Sequence, residues 1–352
     1  MRPQTRRTMR ARLSYKLTSA ELRRDRWTGV VARRIGLLHV VVYVRSGDDG
    51  SREYALDDER VHLLFERVQQ GMPHLREILV DSDGMEAWSL LPLMSLRHLH
   101  TLVLQRELHS VARQAHALTH MPALRNVMLM HGISAAVERV LFAAPLPWTC
   151  FTCVVQRDPQ VTLDNVASAL PHLTTLSMGL HFAPRVHANI LTLAPRVQNL
   201  SLAHVERGST ADAALRRFLL HDLRAFAHVR TLKLSTFGSK RSTVSCTSAD
   251  LAAALSVLTR LERLDIRQLT NLSDLAFLRA LPTPLALRDL ALMCAACRLP
   301  VISDNVLAPL RFRNLTSLRL QTVFHRALTE VERAVFRAPL CVLTQLRVFE
   351  CT

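Results

Sequence analysis

One spacing constrains this chain more than any other feature: an apolar residue, two variable ones, a second apolar residue, one variable, then a third apolar residue. It recurs as Leu75/Ile78/Val80, Leu99/Leu102/Leu104, Leu124/Val127/Leu129, Trp148/Phe151/Cys153, Leu173/Leu176/Met178, Val197/Leu200/Leu202, Val229/Leu232/Leu234, Leu261/Leu264/Ile266, Leu287/Leu290/Leu292, Leu315/Leu318/Leu320 and Leu343/Leu346/Val348. The first residues of these eleven copies are 24, 25, 24, 25, 24, 32, 32, 26, 28 and 28 positions apart. A period in that range is one supersecondary unit, a strand and its return segment, repeated along the chain.

The segments between the registers carry helical periodicity and helix-start residues. Examples are SAAVERVLFAAP from Ser134, LDNVASALPHL with Asp164 as N-cap, SADLAAALSVL from Ser248, ISDNVLAPL around Ser303, and LTEVERAVF, where Thr329 and Glu332 have capping-box spacing. Pro73, Pro122, Pro171 and Pro195 stand just ahead of strand registers, where a residue that cannot continue a helix and favours extended geometry before it is expected. Strand and helix are therefore expected to alternate strictly. Neither half of such a unit can bury its apolar face alone, so units must stack, strand on strand and helix on helix. The expectation is an α/β leucine-rich repeat solenoid, a horseshoe with a parallel concave sheet and convex helices. Two longer units, starting at Val197 and Val229, accommodate extended helices or loops.

The 352 residues are 49% hydrophobic and only 5% aromatic, which suits an aliphatic core of stacked repeats. The net charge of +16 is uneven: residues 1–34 hold eleven Lys/Arg against Glu21 and Asp25, and residues 47–60 then carry six acids against Arg52 and Arg60. Three regions follow: a basic N-terminal extension at 1–34, disordered or helical; a capping unit at 35–74, built from strands around SGDDGS and the helix DDERVHLLFERVQQ; and repeats over 75–352. The longest apolar run, IGLLHVVVYV at 35–44, is about half the roughly 18 residues a membrane span requires. Seven scattered cysteines and no apolar signal core point to a reducing, intracellular site, cytoplasmic or nuclear. An Arg-rich opening also matches the composition of a mitochondrial presequence. The chain stops at LRVFECT on the eleventh strand, so a partner covers that edge, the end frays, or the natural product is longer.

The registers LRHLHTLVLQ, LTRLERLDIRQLTNLSDLAFL and LRDLALMCAACRLPVISDNVLAPL resemble leucine-rich repeat proteins of the ribonuclease-inhibitor-like class, and the later ones resemble the repeats of F-box adaptor proteins, with Ser273-Asp274 and Ser303-Asp304 at the family's helix start. The resemblance runs from about residue 75 onward and implies protein recognition, with a cullin-ligase scaffold as a further partner. Two features depart from the family. The ninth repeat position is Glu107, Gly132, His181, Val205, Phe237 or Leu269 rather than a ladder of Asn or Cys, and the first 60 residues hold no F-box pattern.

No catalytic apparatus is visible, neither a phosphate-binding glycine loop nor a nucleophile elbow, and no cofactor is expected. Cys150-Phe-Thr-Cys153 and Cys294-Ala-Ala-Cys297 would suggest zinc in a small protein, but they fall in the fourth and ninth repeats, five strand spacings or roughly 24 Å apart. They read as structural thiols. His116 and His120 have ligand spacing on a helix without a third ligand, and DSDG at 81–84 lacks the later Glu of a calcium loop. No metal site is expected.

Function is then expected on the residues between the core positions. Those columns mix ten Lys/Arg, among them Arg76, Arg125 and Arg263, with six Asp/Glu and one aromatic, Phe349, which is not the one-sided basic and aromatic stripe of a nucleic-acid groove. The third to fifth strands instead bring Met128, Met130, Cys150, Val154, Val155 and Leu180 to one side. That apolar patch is the expected protein-binding site, with methionines offering adaptable contacts. The alternative is a nucleic-acid- or anionic-surface-associated protein that binds through residues 1–34.

Overall fold

The structure, a computed structural model, describes residues 9–14, 35–42, 45–46, 52–53, 66, 68, 70, 74–82, 90–104, 111–133, 135–155, 169–180, 193–204, 216–236, 247–267, 276–294, 312–322, 345 and 347–351. The chain divides into two compact units, Met1–Leu173 and Thr174–Thr352.

The first unit contains β1 (Met9–Ser14), β2 (Ile35–Val42), β3 (Arg45–Ser46), β4 (Arg52–Glu53), β5 (Glu77–Ser82), β6 (Thr101–Leu104), β7 (Asn126–Ile133) and β8 (Cys150–Val155). Strands β1, β2, β5, β6, β7 and β8 pair in that order, each parallel to the next. β3 and β4 pair antiparallel. Six residues of the basic extension are described. Met9–Ser14 is neither helical nor disordered but a strand added parallel to β2. Its sequence, MRARLS, alternates apolar and polar with a period of two, which its high charge obscures.

The second unit contains β9 (Thr175–Leu180), β10 (Asn199–His204), β11 (Thr231–Thr236), β12 (Arg263–Arg267), β13 (Asp289–Cys294), β14 (Ser317–Thr322) and β15 (Val348–Cys351). They too pair parallel in chain order. In each unit a carbonyl just ahead of one strand accepts two backbone N–H groups from the next repeat. Arg76 O takes His100 N and Thr101 N, His100 O takes Arg125 N and Asn126 N, and Gln198 O takes Arg230 N and Thr231 N. Because strand follows strand with one return segment between, the sheet of each unit has the one-strand-per-repeat order of a solenoid.

The core is the registers themselves. Leu99, Leu102, Leu104, Leu124, Val127, Leu129, Trp148, Phe151 and Cys153 are buried in the first unit, and Leu173 closes it; the triplets from Leu200 to Leu318 are buried in the second wherever they are described. Aromatic side chains enter where a repeat needs volume: in the fourth, Trp148 stacks on Phe151 at 5.8 Å between ring centres and Phe142 meets Phe151 edge-on at 5.6 Å.

Return segments vary more than the period predicts. Helices form at α1 (Val111–Thr119), α2 (Ala135–Leu141) and α3 (Ser248–Leu255), the last two at the expected Ser134 and Ser248 starts. Short 3-10 turns stand at Leu91–Ser95, Asp222–Phe226, Ala276–Ala280 and Pro284–Ala286, the second of them after helical residues 216–220. In Leu91–Ser95 and Pro284–Ala286 a proline sits in the first turn, where its missing N–H costs nothing. The helix starts expected at Asp164, Ser273, Ser303 and Thr329 lie outside the described residues.

The eleventh register needs correction. β15 pairs Ser317 with Val348, Leu318 with Phe349 and Leu320 with Cys351. The shared carbonyl is Thr316 O, which takes Arg347 N and Val348 N. Val348 is 38% exposed. Phe349 and Cys351 therefore align with Leu318 and Leu320, the places the spacing gave to Leu346 and Val348. The text LTQLRVFEC satisfies the spacing twice, three residues apart. An odd slip on a period-two strand exchanges its faces, so Phe349 takes the register position opposite Leu318.

Candidate functional site

In the first unit, alternation along the strands sends one set of side chains into the core and leaves the other half-buried or exposed. Parallel register then arranges the outward set into rows. Nearest the strand starts, Glu77, Thr101, Asn126 and Cys150 stand side by side. Asn126 Nδ2 donates to Thr101 Oγ1 at 3.1 Å, and Thr149 Oγ1 donates to the Asn126 amide oxygen at 3.4 Å, which fixes the orientation of the amide. Two residues further on, Leu79, Val103, Met128 and Thr152 form the next row across four adjacent strands. All four are half-buried.

Met130 follows Met128 on the same face and is 39% exposed, a large apolar side chain in water. It sits where the β7/β8 pairing jumps: Leu129 pairs with Cys153, but Gly132 pairs with Val154. Met130 and His131 have no opposite residue, and such a bulge commonly re-aims side chains at an edge or a site. Gly132 ends the bulge, and the ninth-position asparagine of typical repeats is absent at this point of the chain.

The expected site is thus brought together in part. Met128 and Met130 lie on β7 and face outward as expected. Cys150 lies on the neighbouring strand, one row nearer the strand starts, half-buried, and burial pushes its thiol pKa up. A raised pKa keeps it protonated near neutral pH, and it is a poor nucleophile there. Val154 and Val155 pair with Gly132 and Ile133, but their side chains fall outside the described residues. Leu180 ends β9, in the second unit. Leu79 and Val103, which complete the row, were not among the expected residues. Each stands between two core residues, in Ile78-Leu79-Val80 and Leu102-Val103-Leu104, and an unbroken apolar run conceals which member points outward.

The outward face of the second unit differs in chemistry. Its first row runs Thr175, Asn199, Thr231, Arg263, Asp289, Ser317 and Val348, and its second begins Ser177, Ser201, Lys233, Asp265, Ala291 and Arg319. Asn199 Nδ2 donates to Thr175 Oγ1 at 3.0 Å. Its charges largely compensate one another: Arg263 Nε meets Asp289 Oδ2 at 2.8 Å, Arg267 Nε meets Asp265 at 2.8 Å, and Arg230 meets Glu262 at 3.3 Å. The Asp265 carboxylate and its hydrogen bond raise the Arg267 pKa further. A face neutralised in this way is not a phosphate track.

The remaining candidate chemistry resolves into structure. Cys150 and Cys153 occupy opposite faces of β8, outward and core. His116 and His120 are exposed with ring centres 3.9 Å apart, and His120 Nδ1 donates to the His116 carbonyl at 2.9 Å, closing the C-terminal turn of α1. No group of three or more His, Cys, Asp or Glu gathers to hold a metal among the described residues. None of their helices is long and apolar enough to cross a membrane.

No protein-family model matches the chain, and no curated protein matches it. Among solved structures, a Bacteroides fragilis protein from a structural genomics programme covers 72% of this chain and 68% of its own, at 11% identity and a TM-score of 0.43. A likeness this weak bears on neither fold nor function; the parallel, one-per-repeat strand order identifies the architecture.

Proposed function

We propose that the chain is a leucine-rich repeat solenoid of the ribonuclease-inhibitor-like class that acts without catalysis, binding a protein partner on the outward sheet face of its first unit. The observation that carries this reading is the row Leu79, Val103, Met128 and Thr152, with Met130 beside it: three apolar side chains in register on adjacent strands where a monomeric sheet would ordinarily place polar ones. Methionine adapts its shape to a partner at little cost, and the hydrogen-bonded Thr101, Asn126 and Thr149 beside the row supply a polar rim with fixed geometry. The second unit's outward face, hydroxylic and charge-compensated, serves as an internal control.

A photo-reactive amino acid placed at Met128 should crosslink a specific protein in cells, and one placed at Ser201, in the corresponding row of the second unit, should not. Equal labelling from both positions, or none from Met128, contradicts the assignment. The sharper form of the reading, substrate selection of F-box type, further requires co-purification of a cullin-ligase scaffold, and its clean absence removes that form alone.

A further inference from the structure

We propose that the partner segment is an amphipathic helix with an acidic flank, lying across β5, β6 and β7. The inference rests on the binding reading above and specifies its ligand. Immediately ahead of these strands, Arg76, His100 and Arg125 occupy equivalent positions one strand apart, tied by His100 N to Arg76 O at 2.8 Å and Arg125 N to His100 O at 2.9 Å. His74, Arg97 and His98 flank them, all exposed. The His74 and His98 rings are 6.5 Å apart, and His100 Nδ1 donates to the His98 carbonyl. Over residues 74–77, 97–101 and 123–126 the only carboxylate is Glu77.

The arginines among them differ from Arg230, which holds the equivalent position in the second unit. There, Arg230 Nη1 meets Glu262 Oε1 at 3.3 Å. Among the described residues no carboxylate pairs with Arg76 or Arg125. Arg125 Nη1 instead donates to the carbonyls of Pro122 and Leu124, which holds the guanidinium at the strand edge without neutralising it. A polar line with an arginine at each end, Arg76, His100 and Arg125, therefore runs parallel to the apolar row Leu79, Val103 and Met128, three residues or about 10 Å away at 3.3 Å per residue; these residues precede the strands, and Thr149, at the equivalent position ahead of β8, reaches Asn126 of the outward row.

Two parallel lines, one carrying Arg76 and Arg125 and one apolar, call for a ligand with two parallel stripes. Their repeat is the strand spacing, about 4.8 Å. An α-helix returns a side chain to the same face about every 5.4 Å, so across three strands the mismatch accumulates to only about 1 Å. An extended peptide repeats each face at about 6.7 Å and falls out of step by nearly 4 Å over the same distance. The pitch favours the helix, and the charge requires its second stripe to be acidic.

The test uses the full chain and a fluorescent synthetic peptide of about 18 residues, five helical turns, with one Leu stripe and one adjoining Glu stripe. Controls are a peptide of the same composition with the stripes scrambled and one with Lys in place of Glu. Binding is expected for the first peptide only, weakening as salt is raised. Arg76→Glu with His100→Glu should lower its affinity at least about tenfold, and the milder Arg76→Gln with His100→Gln should lower it less; both variants should melt as the parent does. Failure of the wild-type chain to bind, equal binding of the scrambled peptide, or indifference to both pairs of substitutions overturns the proposal. If the charge variants bind normally while Val103→Asp with Met128→Asp abolishes binding, the acidic-helix inference fails and the apolar face stands. If neither set matters, both fail.

Discussion

Asp250 is the buried charged residue among the described residues of the second unit, 4% exposed at the start of α3. Burial alone would raise its pKa, but hydrogen bonds from the Thr247 hydroxyl and backbone N–H and from Arg216 Nε outweigh it, and the net shift is downward. Asp250 N donates back to Thr247 Oγ1, which completes a capping box. Arg216 is more than half exposed, so its ion pair contributes little and the cap contributes most. Asp250→Ala should therefore cost roughly 1–3 kcal/mol, read from chemical denaturation. Because the folded pKa lies below the unfolded value of about 3.9, this contribution is complete above that pH and is lost as pH falls through the depressed value. The wild-type advantage over Asp250→Asn should then shrink below about pH 4 and stay constant from pH 5 to 8. Trp148 makes the converse case. It is fully buried, and its indole Nε1 has no hydrogen-bond partner among the described residues. Trp148→Phe should cost less than about 1.5 kcal/mol because it also removes an unsatisfied donor, whereas Trp148→Ala should cost about 3–5 kcal/mol through the cavity it leaves. The Thr-x-x-Asp signature of the cap was present in the sequence. The missing partner of Trp148 was not, since it depends on what surrounds the ring in space.

At the scale of the element, the repeat spacing placed the strands closely because burial enforces it: a residue one step out of phase would put Leu102 or Leu290 in water. Where two phases both satisfy the spacing, that enforcement does not discriminate, and LTQLRVFEC is such a case. The pairing of Leu318 with Phe349 predicts that Phe349→Ala lowers the stability of the second unit, while Val348→Ala, at an exposed position, changes it by less than about 0.5 kcal/mol. Matched denaturation curves for the two variants decide between the registers; a larger effect at Val348 would restore the one expected from spacing alone. The bulge at Met130 and His131 was illegible for a different reason. It arises from a mismatch between β7 and β8 in how many residues span the same distance, a property of a pair of strands and of neither alone.

At the scale of the whole molecule, each of the two compact units has the parallel, one-strand-per-repeat order read from the sequence, and the two differ in surface chemistry. Met128 and Met130 could be found from alternation alone, because they interrupt an expected polar column. Leu79, Val103 and the cationic edge required the register, which aligns residues roughly 25 positions apart in the chain. The proposed ligand of the apolar row in the first unit is a protein. This is tested most directly by measuring, in a calorimetric titration, the affinity of the partner crosslinked at position 128 for the wild-type chain, for Val103→Asp with Met128→Asp, and for Ser177→Asp with Ser201→Asp, with thermal melts confirming that each is folded. The account predicts that the first pair loses at least about tenfold in affinity, more than about 1.4 kcal/mol, and that the second pair binds as wild type does. Unchanged affinity in a folded Val103→Asp, Met128→Asp chain would contradict it.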